Sequence, residues 1–228
     1  MRGKPNNILE AIGHLYIYGW MSKTNKQVQR GRPVNEQARQ ERMAQILDGA
    51  RTCFVARGFH ASSIAEISAA AGVSVANIYQ YYPNKEALIT ALIDVDLKRH
   101  FHLIVRFWET DLSWRAVKNA LSDIFLTKEG HDIAVLRAEI ASEAARNPEV
   151  AEMLRRAEAG FIAVLERSIL AARDEGRVPH DIDPVVVGER LSIAFEGIMR
   201  FYVISPSEGE ILLKRYYGQV ADSLHLNA

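Results

Sequence analysis

Two short helix-forming segments separated by one glycine constrain the fold of this chain more than any other feature. They lie within residues 63–88, SIAEISAAAGVSVANIYQYYPNKEAL. The stretch SIAE is a capping box that starts one helix at Ser63, and Gly72 ends that helix after about two turns. Ser74 then caps a second short helix. Two short helices joined by a glycine-containing turn predict a helix-turn-helix, a motif whose second helix projects outward.

The rest of the chain is also helical by its pattern, because apolar residues recur at intervals of three and four and no stretch alternates like a strand. One helix is expected over about 35–57, ending before Gly58, and a long helix is expected from Lys85 to about Trp108. Five more helices follow, three of them with proline in the first turn: Pro148, Pro184 and Pro206. The predicted fold class is all-α, with a three-helix N-terminal domain and a C-terminal helical bundle.

Charge is distributed unevenly between these two parts. The 228-residue chain has a formal net charge of zero. Residues 1–85 nevertheless carry 11 Lys and Arg against 5 Asp and Glu, while the remaining residues carry 17 against 23. A basic first part joined to an acidic second part is expected when only the first part meets a polyanion.

The second short helix has the composition of a surface that meets a DNA major groove. Its small residues Val75 and Ala76 can contact a thymine methyl group, and the amides of Asn77 and Gln80 can hydrogen-bond an adenine edge. Hydroxyl and ammonium groups nearby can bind phosphates, namely those of Tyr79, Tyr81 and Lys85. The alternative is a helical hairpin within a larger bundle, with the tyrosines packed at its surface.

Residues 43–93 resemble the DNA-binding domain of the TetR family of transcriptional regulators. The matching stretch reads ILDGARTCFVARGFHASSIAEISAAAGVSVANIYQYYPNKEALITALI. The resemblance implies that Lys85 holds a phosphate and that a set of side chains faces DNA: Val75, Ala76, Asn77, Tyr79 and Tyr81. We add Gln80 and Ser63, which lie within the same pattern, to the predicted DNA contacts.

The segment before this domain contains RGRP, a short basic sequence similar to arms that enter the minor groove of A·T-rich DNA. Arg30 and Arg32 are therefore predicted DNA contacts, and a solvated tail is the alternative. The apolar run ILEAIGHLYIYGW further upstream is too short to cross a bilayer. We hypothesise that translation starts at Met21, the alternative being an extra packed helix. The expected domains are 1–34, an extension and basic arm; 35–85, the helix-turn-helix domain; and 86–228, a domain for ligand binding and dimerisation.

The last two predicted helices have broad apolar faces. In the TetR family the corresponding helices of two subunits form a four-helix dimer interface, so the resemblance implies a homodimer. The predicted interface residues are Leu191, Phe195, Ile198, Tyr202, Leu213, Tyr217, Val220 and Leu224.

The middle helices would enclose the ligand cavity that the family resemblance implies. The predicted pocket residues are Trp108, Phe125, Arg137, Phe161, Phe195 and Met199. Each of the apolar residues in this set fits an ordinary core equally well. Arg137 and Glu143 are candidate polar groups of the pocket, and ion pairing at the surface or between helices is the alternative for both.

Enzyme and metal-site interpretations find no support in the sequence. It has no Walker loop, no GxGxxG and no GxSxG, and it has one cysteine, Cys53, which fits a buried position. His100 and His102 are two residues apart on a helix and point to different sides, which is wrong for a shared metal. We therefore expect no enzyme activity, no cofactor, no metal and no membrane contact.

The predicted function is that of a cytoplasmic, ligand-responsive repressor that binds a palindromic double-stranded operator as a homodimer. The effector, the operator and the regulated genes are not specified by the sequence. The alternative is a helical small-molecule-binding or interaction protein without DNA affinity. Retention of residues 21–93 on duplex DNA, and its loss with added salt, would distinguish the two.

Overall fold

The computed structural model describes residues 36–110, 121–122 and 126–225, with side chains omitted from 100 to 110. Eight α-helices occur in these ranges, and no strand does. They are α1 (Glu36–Arg57), α2 (Ile64–Ala71), α3 (Val75–Tyr81), α4 (Lys85–Thr110), α5 (Lys128–Ala144), α6 (Pro148–Asp174), α7 (Pro184–Ile204) and α8 (Gly209–Ser223). A single 3₁₀ turn, Pro206–Glu208, separates the last two. The all-α prediction is confirmed.

The first three helices form around a small core. Phe54 of α1 and Phe59 of the following turn meet edge to face, with ring centroids 5.0 Å apart. Ile67 of α2 and Ile78 of α3 are fully buried beneath the turn that joins those helices. Gln45 Nε2 also donates to the Ala71 carbonyl at 2.7 Å, which ties α1 to the end of α2.

A second, larger core lies among the C-terminal helices. Helix α6 packs against α4, α5 and α7, and α7 packs against α5 and α8. Phe195 of α7 contacts Phe161 of α6 and Tyr216 of α8, with ring centroids about 6 Å apart in both pairs. The described residues from Gln40 onward form one compact unit. Helix α4 begins next to the small core and continues into the large one, so it connects the two.

Local signals set most helix ends. Asn147 and Asp183 cap α6 and α7 with their side chains, and Pro148 and Pro184 occupy the first helical turns as predicted. Gly176, with φ +70°, follows the end of α6. Within the described ranges, no helix has both the length and the apolar character needed to span a bilayer.

Candidate nucleic-acid interface

Helix α2 is delimited by the signals that its sequence contains. The Glu66 amide donates to Ser63 Oγ at 3.2 Å, and the Ser63 amide donates to Glu66 Oε2 at 2.8 Å. The Ser63 hydroxyl also donates to Glu66 Oε2, at 3.0 Å, and the two hydrogen bonds that the carboxylate accepts from Ser63 lower the pKa of Glu66. Gly72 ends the helix in the left-handed conformation, with φ +64°. Ser63 therefore serves as the helix cap, and its predicted contact with DNA stays a prediction.

The turn between α2 and α3 depends on close contact with α1. A Cβ atom added to Gly49 of α1 would lie 2.6–2.8 Å from the Cβ, N and Cα atoms of Ala71. Real Cβ atoms do not come so close to backbone, so only glycine allows this approach. The packing holds α2 rigidly beneath α3 and thereby sets the direction in which α3 projects.

Helix α3 projects a mixed surface of small, polar and aromatic side chains. Ser74 caps it, accepting from the Asn77 amide at 3.1 Å. Val75 and Tyr79 are 39% and 48% exposed, and Ala76 and Gln80 are also exposed. This surface contains no charged side chain, which suits direct contact with base edges between phosphates.

Asn77 and Tyr81 are only partly exposed, so they lie at the edge of this surface rather than at its centre. The Asn77 Nδ2 amide donates to Gln80 Oε1 at 3.0 Å, so the two amides act as a pair. Tyr82, in contrast, is buried, and burial raises its pKa to about 12.

Lys85 begins α4, directly after the surface of α3. Its ammonium donates one hydrogen bond to the His60 carbonyl at 2.8 Å. An ammonium has three donors, so two remain for an anion. The Ala87 amide donates to Asn84 Oδ1 at 2.7 Å, which caps the same helix start. A helix N-terminus beside a lysine favours phosphate.

Comparison with known proteins identifies this arrangement. Residues 46–92 match the family described as "Bacterial regulatory proteins, tetR family". The HTH-type transcriptional regulator UidR of Escherichia coli strain K12 is 30% identical over 155 residues, covering 68% of this chain and 78% of UidR. The protein belongs to the TetR family. It is a DNA-binding transcriptional regulator.

Solved structures show the same fold along most of this TetR-family chain. Salmonella enterica GusR superposes with a TM-score of 0.65 at 24% identity, covering 81% of this chain and 96% of GusR. Bacillus subtilis FadR, solved in complex with stearoyl-CoA, superposes with a TM-score of 0.59 at 18% identity. This superposition covers 77% of this chain and 98% of FadR. The likeness therefore extends beyond the helix-turn-helix into the C-terminal helices.

Several predicted positions of the TetR-family protein lie outside what the structure describes. Arg30 and Arg32 belong to the residues before 36, as does the proposed start at Met21. Phe125 also lies outside the described residues, and Trp108 lies in α4 without a described side chain. These assignments stay predictions.

Three of the predicted pocket residues come together in the larger core. The Arg137 guanidinium lies over the Phe195 ring, 5.8 Å from its centroid, and Phe195 meets Phe161 at 6.1 Å. Arg137 also forms an ion pair with Glu196 of α7, which was the alternative for this residue. Burial lowers the pKa of the guanidinium, and the carboxylates of Asp96 and Glu158 oppose that shift. Met199 is buried and forms part of the core.

Glu143 does not contact Arg137, and its contact with His60 agrees with the pairing that was its alternative assignment. Its Oε2 lies 2.9 Å from His60 Nε2, at the turn between α1 and α2. Glu139, one helical turn earlier, accepts from the Phe59 amide at 3.0 Å. His60 and Glu139 were not predicted as site residues, because their partners are 80 or more residues away along the chain.

The predicted dimer surface needs correction. Tyr217 is partly buried and packs against the larger core. The other seven residues are buried within the single chain: Leu191, Phe195, Ile198, Tyr202, Leu213, Val220 and Leu224. A side chain already enclosed by its own chain has no surface left for a second copy. The same helices expose another apolar set: Val186, Ile193, Phe201, Ile204 and Ile211.

Proposed function

We propose that this TetR-family regulator is a ligand-responsive repressor that binds a palindromic operator as a homodimer. Residues 35–85 would bind DNA, residues 86–228 would dimerise and bind an effector, and residues 1–34 would add a basic arm. This role needs no catalytic group, cofactor or metal, and it belongs in the cytoplasm, where the operator is.

The observation that carries the DNA-binding assignment is the exposed face of α3 beside Lys85. Val75, Ala76 and the Asn77–Gln80 amide pair would meet base edges, because their short side chains allow the helix to lie deep in the major groove. Tyr79 and Tyr81 would donate to phosphates through their hydroxyls, and Lys85 would add a charge. Ser63 would donate to a phosphate once its hydroxyl turns away from the Glu66 carboxylate. Arg30 and Arg32 would follow the minor groove.

Dimerisation would use the exposed apolar face of α7 and α8 rather than the face we first predicted. Ile193 is 73% exposed and Phe201 is 51% exposed, with the Arg200 guanidinium over the Phe201 ring. A second copy would cover them through a symmetric interface. Two recognition helices would then lie about 34 Å apart, which matches successive major grooves on one side of the duplex.

Effector binding would act on the spacing between the two recognition helices. A molecule held near Arg137, Phe161 and Phe195 would lie beside α4, because α6 packs directly against that helix. If the molecule binds more tightly when α4 is tilted, it shifts the protein toward the form that releases DNA. The complex of the structural relative FadR with stearoyl-CoA supports a small-molecule site in this fold.

The test begins with selection of binding sites from random duplex DNA by the full-length protein, followed by titration of variants. Asn77→Ala should relax preference at one operator position at about 1–3 kcal/mol, because a base contact is lost. Lys85→Ala should weaken binding to all duplexes alike and reduce the salt slope by about one unit per subunit. If the two variants exchanged these behaviours, our assignment of the α3 face would be wrong.

A matched control is Glu175→Ala, which also removes one surface charge. Glu175 pairs with Arg177 just after the C-terminal end of α6. Helix α6 has 27 residues, so Glu175 lies roughly 40 Å from Pro148 at the other end of the helix. Its removal should leave both affinity and salt dependence unchanged. Failure of the wild type to enrich any duplex sequence would instead favour a helical ligand-binding or interaction protein.

A further inference from the structure

A helix of the C-terminal part contacts the DNA-binding helices directly. The turn Gly58–His60, between α1 and α2, lies against α5. The Phe59 amide donates to Glu139 Oε2 at 3.0 Å. Gly58 has φ +81°, and a Cβ atom placed on it would be 3.0–3.2 Å from the Glu139 carboxylate. The carboxylate therefore fits closely over the turn and binds its backbone.

A second carboxylate on the same side of α5 contacts the same turn. Glu143 lies four residues after Glu139, so the two project from one face of the helix. Its Oε2 lies 2.9 Å from His60 Nε2. Two adjacent turns of α5 therefore hold two consecutive residues, Phe59 through its backbone and His60 through its ring.

The turn at 58–60 also binds the side chain of Lys85. The His60 carbonyl accepts from Lys85 Nζ at 2.8 Å, which restricts an otherwise flexible four-carbon side chain. Phe59 is buried in the small core, so the turn cannot move without disturbing α1. The position of the Lys85 ammonium is therefore set by a turn that α5 grips from outside the helix-turn-helix.

The other side of α5 reaches the larger core. Arg137 precedes Glu139 by two residues, which places it about 200° around the helix. Its ion pair with Glu196 and its position over the Phe195 ring anchor this side of α5 to α7. A displacement of α5 at Arg137 would therefore also move Glu139 and Glu143.

We infer that Glu139 and Glu143 are positioning residues for DNA binding, and that α5 transmits changes around Arg137 to the Lys85 ammonium. This inference rests on the proposed function of the α3 surface. Helix α4 connects the two parts of the molecule through the backbone. The contacts of Glu139 and Glu143 are a second connection, made by side chains. Neither glutamate touches DNA in this scheme, and both act through the turn at 58–60.

The test is a double-mutant cycle on the full-length protein, with the duplex selected for the wild type as the probe. Glu139→Ala removes the acceptor for the Phe59 amide and should lower affinity about tenfold, the effect of one hydrogen bond to a charged group. Glu139→Gln keeps an acceptor oxygen and should retain most of the affinity. In a Lys85→Ala background, Glu139→Ala should cause little further loss, because the group that it positions is absent.

Glu143→Ala provides a second variant on the less buried end of α5 and should show the same coupling with Lys85. Glu175→Ala is the control for charge removal, and thermal unfolding of each variant confirms that it is folded. A folded Glu139→Ala protein with unchanged affinity would overturn the inference, as would a full tenfold loss in the Lys85→Ala background. Absence of binding by the wild type would overturn the proposed function instead, so the two failures are distinguishable.

Discussion

The face of α3 and the outer face of α7 and α8 both leave large side chains in solvent, but the two surfaces differ in chemistry. On α3 the exposed side chains mix a valine and an alanine with an amide and a tyrosine hydroxyl. On α7 and α8 the exposed apolar set consists of valine, isoleucine and phenylalanine, and Ile193 and Ile204 of α7 are its most exposed members. The first surface can satisfy the polar groups of a nucleic acid, whereas the apolar side chains of the second gain by excluding water.

Exposure alone therefore does not specify a partner. Apolar surface that lacks hydrogen-bonding groups matches another protein surface, and most simply a second copy of itself. A surface with donors and acceptors between small side chains matches base edges and phosphates. Variants of the two surfaces, and of the packing beneath α3, test this distinction, and the largest effect is expected on α7.

Charges introduced on the outer face of α7 should separate the subunits. Ile193→Glu combined with Phe201→Glu would place two carboxylates in a buried apolar interface, so monomers should be seen by light scattering. Operator affinity should then fall by about 10²- to 10⁴-fold, because each half-site must be bound separately. A folded double variant that keeps the mass of a dimer would contradict this surface assignment.

The matched variant for that experiment is Phe195→Glu, on the inner face of the same helix. Phe195 is only 8% exposed and packs between Phe161 and Tyr216. A charge there should unfold the C-terminal core rather than release folded monomers. Circular dichroism would distinguish the two outcomes and would show which face of α7 belongs to the core.

A side chain added at the close contact between α1 and α2 should destabilise the DNA-binding part without affecting assembly. Gly49→Ala would force its methyl group against the Ala71 backbone, at an expected loss of about 1–3 kcal/mol in the free energy of unfolding. Urea denaturation measures this loss, and light scattering should show an unchanged mass. Asp48→Ala, at the exposed neighbouring position, is the control and should have little effect; equal stability of the two variants would contradict the close approach.

Loss of the α2 cap should have a smaller effect. Ser63→Ala removes the acceptor for the Glu66 amide and should lower stability by about 1 kcal/mol, as measured by thermal unfolding. A loss as large as that of Gly49→Ala would indicate that Ser63 does more than cap the helix.

The hydrogen bonds that the Glu66 carboxylate accepts from Ser63 predict that stability depends on pH. The pKa of Glu66 in the folded protein lies below its ordinary value of 4.5, chiefly because its carboxylate accepts hydrogen bonds from Ser63. Its contribution is therefore present above pH 4.5 and is lost as the pH falls through the folded value. Glu66→Gln should accordingly differ from the wild type at neutral pH and approach it in acid, and a difference that persists unchanged in acid would contradict this cause.

The smallest effect is expected from one hydroxyl on the α3 surface. Tyr79→Phe removes one neutral donor and should weaken binding to all duplexes by about 0.5–1 kcal/mol, with the salt slope unchanged. Tyr82→Phe is the control, because among the described residues nothing hydrogen-bonds its buried hydroxyl. Its DNA affinity should equal that of the wild type, and a salt slope altered by Tyr79→Phe would contradict the neutral-donor role.

Much of the DNA-binding part could be predicted because its signals are local. Ser63, Glu66, Gly72 and Ser74 act on groups no more than about five residues away, and the structure has the helix ends where these residues place them. The outward face of α3 was also predicted, since its length and caps leave few alternatives. Asn77 and Tyr81 are more enclosed than expected, because α3 lies partly against its neighbours.

Caps, glycines and prolines act on their immediate neighbours, so the helix-turn-helix, its helix ends and the family could be predicted from residue order alone. Which face of α7 and α8 is buried depends on how the helices pack. Large apolar residues occur on both faces, so periodicity cannot distinguish Phe195, which is enclosed, from Phe201, which is exposed. The contact between Glu139 and the Phe59 amide likewise required the fold, since it joins groups 80 residues apart whose local sequence carries no sign of the other.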